Sequence, residues 1–312
     1  MHSGAAHLPI ILLQGPTASG KSALALDLAE KLDGAIINAD ALQLYRDWRV
    51  LSARPNAAET ARRPHHLFGH VDAAERYSVG RWLKECLQVI AAVRAAGQRP
   101  VIVGGTGLYF RALTEGLAEI PAIPEAVQEH VLARLTRDGA PALHAQLQVF
   151  DPDGAARIKP TDSSRILRAT AVFEAFGEAI TALQANTLPP LAPDSWRGLA
   201  LAPPRDVLYA GINARFAAMI EQGALEEARA LLARDLLPDL PAMKAVGAPP
   251  LFAHLRGEID LKMAIELAAR DTRRFAKRQF TWIGNQVPHW TRIEGLDPSE
   301  RLGVALTALA AG

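Results

Sequence analysis

An α/β protein, built on a parallel sheet flanked by helices and carrying a mostly helical insertion, is the fold this sequence predicts. Three observations carry that prediction. Short, continuously apolar runs of the kind found in strands buried on both faces alternate with helical segments. A glycine-rich signature sits between the first such run and the first helix. From Glu125 to about Leu183 the strand signal gives way to helical periodicity.

Ile10-Ile11-Leu12-Leu13 reads as the first buried strand, and Leu24, Leu28 and Leu32, spaced by four, as the inner face of the helix after it. Further strands are expected at Ala35 to Asn38, around Leu67 to Val71, and at Val101-Ile102-Val103. Trp82, Cys86, Ile90 and Val93 mark a helix between the last two, ending near Gly97. Pro121 and Pro124 break the alternation. Val127, Val131 and Leu135, then Ile166, Thr170 and Phe173, give helical faces on either side of a turn at Asp151-Pro152-Asp153-Gly154. Pro189-Pro190-Leu191-Ala192-Pro193 is expected as a hinge and Gly198 to Ala202 as a strand returning to the sheet. From Asp206 to Ile283 the pattern is helical, interrupted at Pro238, Pro241 and Pro249-Pro250. The expected division is a core of residues 1–120 and 196–312 and an inserted helical domain of residues 121–195.

The 312 residues are 49% hydrophobic and 21% charged, enough to bury a full-sized core and too apolar for wholesale disorder. A single cysteine, Cys86, excludes an internal disulfide framework and any multi-cysteine zinc site. It points to a reducing compartment, so the cytoplasm is expected, and its place on an apolar helix face reads as packing. Met1 to Leu8 lack the positive region of a secretory signal, and no run approaches the roughly 18 apolar residues of a membrane span. No membrane association is expected. With 34 Lys plus Arg against 33 Asp plus Glu, net charge says nothing about a nucleic-acid partner, and only local clusters can.

Gly15-Pro16-Thr17-Ala18-Ser19-Gly20-Lys21-Ser22 fits G-x-x-x-x-G-K-[ST] between a strand and a helix, the context that signature needs. Its glycines let backbone N–H groups turn around phosphate oxygens at a helix N-terminus. Lys21 adds a full positive charge, Ser22 is placed to ligate Mg²⁺, and Thr17 and Ser19 offer hydroxyls. The sheet is therefore expected to be P-loop NTPase-like. The loop contacts only oxygens, so it does not distinguish a nucleotide from another diphosphate. An ATP-hydrolysing protein usually ends a neighbouring strand in an acid, whereas Val101-Ile102-Val103 runs into Gly104-Gly105-Thr106-Gly107, and no acidic residue follows until Glu115. ATP hydrolysis is weakened accordingly.

Ligands of open parallel sheets sit at the carboxyl ends of strands. Asp40 closes the second strand and Thr106 the fourth, so both are expected to face the phosphate loop. An aspartate there can take a proton from a nucleophile or serve as a helix cap. Gly104-Gly105 suits close backbone approach to a ligand, or simply a turn. On a helix, Arg270, Arg274, Lys277 and Arg278 share one face beside Phe280 and Trp282, and Arg157, Lys159, Arg165 and Arg168 form a second basic group on the insertion. Such surfaces suit a polyanion such as RNA, or solvent. His65, His66 and His70 lack companions at metal-ligand spacing and read as hydrogen-bonded loop or core histidines.

Several segments together resemble the tRNA dimethylallyltransferases. They are the phosphate loop; Asp40-Ala41-Leu42-Gln43-Leu44-Tyr45, similar to D-S-x-Q-x-Y; Val103 to Phe110, containing G-G-T-G-L-Y-F; Asp162-Ser163-Ser164-Arg165 with Arg168; and Ala276-Lys277-Arg278-Gln279-Phe280-Thr281-Trp282, similar to A-K-R-Q-x-T-W. They occur in family order over nearly the whole chain. The resemblance implies transfer of a dimethylallyl group from dimethylallyl diphosphate to N6 of adenosine 37 in tRNAs that read codons beginning with U. It also implies a monomer with Mg²⁺ as cofactor. Residues Gly15 to Ser22 would then hold the diphosphate. Lys21 would neutralise the leaving group, Asp40 orient and deprotonate the amine, Thr106 bond near the reacting centre, and Gln43 help hold the extruded base. Ala41, Leu42, Ser164, Arg165, Arg168, Lys277, Arg278 and Gln279 would contact tRNA, the inserted domain taking part. A P-loop kinase of a small metabolite or nucleotide is the alternative, since Asp40 could serve phosphoryl transfer as well. Departures from the family pattern are Ala41 for Ser, Val50-Leu51-Ser52-Ala53-Arg54-Pro55 for I-G-T-A-K-P, Thr161 for Asn, and Ala248 for the Tyr of A-I-G-Y.

Overall fold

In the computed structural model the described residues are 8–185 and 187–311. The leading segment, read above as lacking a secretory signal, lies outside them apart from Leu8. The chain divides into two compact units, one formed by Met1–Ala112 with Leu191–Gly312 and the other by Leu113–Pro190. The second unit thus begins and ends several residues ahead of the 121–195 segment drawn from the proline breaks.

The first unit holds one sheet in the order β3-β2-β4-β1-β5-β6, with every pair parallel. Its strands are β1 (Ile10–Gln14), β2 (Gly34–Asn38), β3 (His65–His66), β4 (Arg99–Gly104), β5 (Trp196–Leu201) and β6 (Thr291–Ile293). β1, β2 and β4 are buried at every position, which is why they read as unbroken apolar runs. The third strand is the exception to the sequence reading. It lies at His65–His66, not at Leu67 to Val71, because Leu67 and Gly69 take left-handed φ values of 62° and 58° and turn the chain out of the sheet. The Leu67 carbonyl accepts a hydrogen bond from the Asn38 side chain instead.

Helix α1 (Lys21–Lys31) follows β1, α2 (Ala57–Arg62) precedes β3, and α3 (Val79–Ala95) and α4 (Gly107–Thr114) bracket β4. On α1, Leu24 and Leu28 pack with Ile11 and Leu13 of β1 and Val101 and Val103 of β4, and the partly buried Leu32 closes over them. Trp82, Cys86, Ile90 and Val93 are the buried face of α3, and burial alone pushes the Cys86 thiol up. Trp82 stacks on Tyr109 of α4 at 4.1 Å and donates its indole N–H to the Asn38 carbonyl at 2.9 Å, fixing the end of β2.

The second unit contains α5 (Glu125–Asp138), α6 (Ala140–Phe150), α7 (Pro152–Arg157), α8 (Ser163–Phe176) and α9 (Ile180–Ala185) around Val131, Leu143, Ile166 and Val172. The expected turn at Asp151 to Gly154 is the start of α7. Asp151 accepts from the Gly154 N–H at 2.9 Å and Pro152 follows it in the first turn, where its missing N–H costs nothing.

The chain returns to the first unit through β5, α10 (Arg205–Glu221), α11 (Ala224–Leu232), α12 (Ala248–Leu255), the 26-residue α13 (Leu261–Gln286), β6 and α14 (Pro298–Ala310). Pro249 and Pro250 do not interrupt a helix but open α12. α10 packs on α13 through Leu208, Ile212 and Ala276, and Ala18 of the phosphate loop leans on that cluster. The loop between β1 and α1 is thereby seated at the carboxyl end of the sheet, with α10 and α13 beside it.

Candidate active site

At the carboxyl ends of β1, β2 and β4, three loops converge and are tied to one another by backbone contacts. The Gly15 N–H donates to the Gly104 carbonyl at 3.2 Å, and the Ala39 N–H to the Val103 carbonyl at 2.8 Å. Gly104 must be a glycine, since a Cβ would lie 2.0 Å from the Ala39 carbonyl oxygen. At Gly105 and Gly107 a Cβ would meet the Gln279 amide and the Trp282 indole, each at 2.1 Å. The glycine run therefore makes room for the protein's own α13, and the two motifs G-G-T-G and Q-x-T-W dock on each other.

Gln279 is the clamp between them. It is buried, its Oε1 accepts from the Thr17 N–H at 2.8 Å, and its Nε2 donates to the Gly105 carbonyl at 3.0 Å. With one acceptor and one donor of its amide on backbone, Gln279 braces the phosphate loop. Thr106 is also structural in part. Its Oγ1 accepts from the Ala41 N–H at 3.0 Å and its N–H donates to the Ala39 carbonyl at 3.2 Å, closing the turn that carries Asp40. Asp40 Oδ1 in turn accepts from the Leu42 N–H at 3.0 Å, an Asx turn that orients the carboxylate.

The converging loops border a cleft of about 630 Å³ lined by residues 17–22, Asp40 and Gln43, the segment 49–54, and Arg215 of α10. Its cations are Lys21, Arg49, Arg54 and Arg215, and its carboxylates are Asp40 and Glu59. Lys21 is buried at the first position of α1 and donates to the Pro16 carbonyl at 3.3 Å. Burial pulls its pKa down to about 8, against the opposing pull of Asp40, with Arg215 lowering it further. Burial likewise lowers Arg215, which Asp40 partly offsets. The Ser19 hydroxyl is buried with no hydrogen-bond partner, an available donor inside the loop. These features suit a polyanion: desolvated positive charge, an idle hydroxyl and a helix N-terminus.

A second, apolar pocket adjoins the cleft. Thr17, Ala18, Asp40, Ser52, Arg215 and Met219 line both, and Leu42, Leu51, Ile212, Phe216, Val246, Thr272 and Phe275 complete the apolar one. Asp40 stands where the two meet. Arg215 was missed by sequence reasoning, although a cation three residues after Ile212 and four before Met219 sits on the buried face of its helix, a placement that calls for an anionic partner.

The remaining expected residues are distributed as follows. Gln43 lines the cleft, but its Nε2 already donates to the Ser52 and Ala53 carbonyls, both at 3.0 Å, so only its carbonyl oxygen is left for a ligand. Lys277 and Arg278 are exposed on α13. Arg270 and Arg274 of the same stripe pair with Asp271. Ser164, Arg165 and Arg168 are exposed on α8 of the other unit, where Asp162 caps the helix through the Arg165 N–H. Of the three histidines, His65 bonds the Arg63 carbonyl at 2.8 Å and His70 the Glu85 carboxylate at 3.0 Å.

A family model described as IPP transferase matches residues 43–286, and one described as isopentenyl transferase matches residues 8–65. The chain belongs to the IPP transferase family. Among its relatives, the tRNA dimethylallyltransferase of Maricaulis maris is 49% identical over 302 residues, covering 97% of each chain. That of Phenylobacterium zucineum is 54% identical, covering 92% of this chain and 93% of its own. A crystal structure of the tRNA isopentenylpyrophosphate transferase of Bacillus halodurans superposes with a TM-score of 0.70 at 31% identity, covering 97% of both chains. A eukaryotic dimethylallyltransferase acting on tRNA gives 0.79 at 26% identity, covering 93% of this chain and 75% of its own. Like these IPP transferases, the chain is a prenyl-transferring enzyme with a P-loop NTPase-like fold, and the kinase alternative finds no support among them. No helix among the described residues is long and apolar enough to cross a membrane.

Proposed function

We propose that this enzyme transfers a dimethylallyl group from dimethylallyl diphosphate to N6 of adenosine 37 in the anticodon loop of tRNAs that read codons beginning with U. The observation that carries this reading is the shared border of the cation-lined cleft and the apolar pocket, with Asp40 on it. A prenyl diphosphate has the matching polarity, a charged head joined to a branched hydrocarbon. A nucleoside triphosphate would place its sugar and base there.

In the reaction the N6 lone pair forms a bond to the allylic carbon as the carbon–oxygen bond breaks, and diphosphate departs with that electron pair. Asp40 receives the N6 proton. Lys21, Arg215 and the phosphate-loop N–H groups hold the charge that develops on the departing oxygen, the electrostatic role in which preorganised donors contribute most. Thr106 keeps the Asp40 turn in place. Extruding the base costs a few kcal/mol, least for a loop nucleotide. Exposed Arg165 and Arg168 of the inserted unit and Lys277 and Arg278 of α13 supply phosphate contacts.

Mg²⁺ fits this donor set. Among the described residues no group of three or more His, Cys, Asp or Glu could cage a metal, and the exposed Ser22 lines the cleft beside Lys21. A hard cation that keeps its water and takes one or two protein ligands plus substrate phosphates suits Ser22. When bound, Mg²⁺ supplies charge neutralisation on the diphosphate oxygens. The test is incubation with unmodified tRNA, dimethylallyl diphosphate and Mg²⁺, followed by nuclease digestion and mass spectrometry. Prenylated adenosine is expected, and adenosine without added mass contradicts the proposal.

A further inference from the structure

One wall of the cleft is the segment Arg49–Arg54, which lends it Arg49, Val50, Ser52, Ala53 and Arg54. None of these residues belongs to a helix or strand. Ala53 sits at a φ of 50°, a left-handed conformation unfavourable to a residue with a Cβ. Burial lowers the Arg54 pKa, and the neighbouring Arg49 charge lowers it further, so two cations stand close together here. A segment with these liabilities keeps one shape only if its surroundings over-determine it.

Part of the bracing is internal. The Ser52 hydroxyl donates to the Trp48 carbonyl at 2.7 Å, and the Arg54 N–H to the Arg49 carbonyl at 2.9 Å. The rest comes from Gln43, whose Nε2 donates to the Ser52 and Ala53 carbonyls, and from α11, nearly two hundred positions away in the chain. Glu227 Oε1 accepts the N–H groups of Arg49 at 3.0 Å and Val50 at 2.8 Å, and Oε2 accepts that of Leu51 at 3.1 Å. Three successive amides converging on one carboxylate form an anion nest whose occupant is built into the protein. Beyond α11, Arg234 reinforces the arrangement by pairing with Asp47 at 2.5 Å and Asp72 at 2.6 Å.

We propose that Glu227 is a positioning residue of the prenyl transfer reaction, setting the wall Arg49–Arg54 so that its guanidinium groups meet the diphosphate of the donor. This rests on the reading of the cleft as a diphosphate site. Glu227 does not line the cleft, and it acts through the backbone it holds. Glutamine cannot replace it, since one amide oxygen remains for three N–H groups and the amide NH₂ faces donors. Its negative charge also offsets that of Arg54 in the free protein.

The experiment is calorimetric titration of inorganic pyrophosphate with Mg²⁺ into the wild type, Lys21→Ala and Glu227→Gln, with donor kinetics on the same proteins. The wild type is expected to bind and Lys21→Ala to lose binding. Glu227→Gln should bind at least about fivefold more weakly, the range for groups left unpaired around a lost charged acceptor, and show a matching rise in donor KM. Its affinity for tRNA alone should stay within about twofold of the wild type, because the wall meets the donor. A residue that merely stabilised the fold would lower the melting temperature and leave the pyrophosphate Kd and donor KM in place, which overturns the proposal. Amide hydrogen exchange on the wild type is the second measurement and needs no variant to fold. The amides of residues 49–51 should be protected, and rapid exchange overturns the proposal as well. Failure of the wild type itself to bind pyrophosphate, with those amides protected, would instead overturn the diphosphate reading.

Discussion

Lys21 shows how one buried charge joins stability to function. Its ammonium is held in the phosphate loop at an energetic disadvantage, because burial outweighs the attraction of Asp40 and brings its pKa from 10.5 to about 8. In the unfolded chain the same group keeps its proton to higher pH. Between about pH 8 and 10.5 the unfolded state therefore binds more protons, and the stability of the free protein should rise across that window. Anion binding runs the other way. A bound diphosphate favours the charged lysine, so pyrophosphate affinity should fall as pH increases through about 8, as titration calorimetry at a series of pH values would register. Lys21→Met should abolish that dependence. It should also raise the melting temperature of the free protein at neutral pH, because it removes a desolvated charge and keeps the side chain's bulk. A lower melting temperature would mean that Asp40 and the loop carbonyl compensate the lysine fully.

At the scale of elements, the docking of α13 onto the glycine run decides the shape of the phosphate loop. Gln279→Leu leaves the Thr17 N–H and the Gly105 carbonyl without their partner, each costing about 1–3 kcal/mol if water cannot reach it. The expected outcome is a lower melting temperature together with a raised donor KM, with tRNA affinity held by Lys277 and Arg278. Loss of tRNA affinity alone would place Gln279 on the RNA surface. The resemblance of its motif, similar to A-K-R-Q-x-T-W, implied a tRNA contact for Gln279. Only the contacts of position 279 with positions 17 and 105 show that its amide bonds to backbone. The phosphate loop, Asp40 and the buried strands were legible because their signals are local: fixed spacing, continuous apolar runs, helical periodicity. Arg215, Glu227 and the short β3 and β6 were not. The first two act across long sequence separations, and the short strands carry too few residues for a period. Leu67 to Val71 misled because an apolar pair beside Gly69 resembles a strand, whereas the left-handed Leu67 ends one.

Across the whole molecule, the cleft and the apolar pocket are lined entirely by residues of the first unit. The second unit contributes an exposed basic helix, α8, and α13 contributes another basic surface. Phosphate contacts of this kind release counterions, so tRNA affinity should fall steeply with salt while pyrophosphate binding in the buried loop responds less. Replacing Lys277, Arg278, Arg165 or Arg168 singly by alanine should each reduce the salt slope by about 1 if that residue contacts phosphate. Filter binding across a salt series measures this, and an unchanged slope removes that residue from the RNA surface.

The central claim is that Asp40, at the border of the cation-lined cleft and the apolar pocket, takes the proton from the attacking amine. Single-turnover prenyl transfer by Asp40→Asn, with saturating tRNA and donor, tests it most directly. The side chain keeps its shape and its acceptor for the Leu42 N–H, so both substrates should bind while transfer slows by at least about 10²-fold, the lower end of general-base effects. Transfer at the wild-type rate would contradict the account and leave Asp40 as the cap of its own turn.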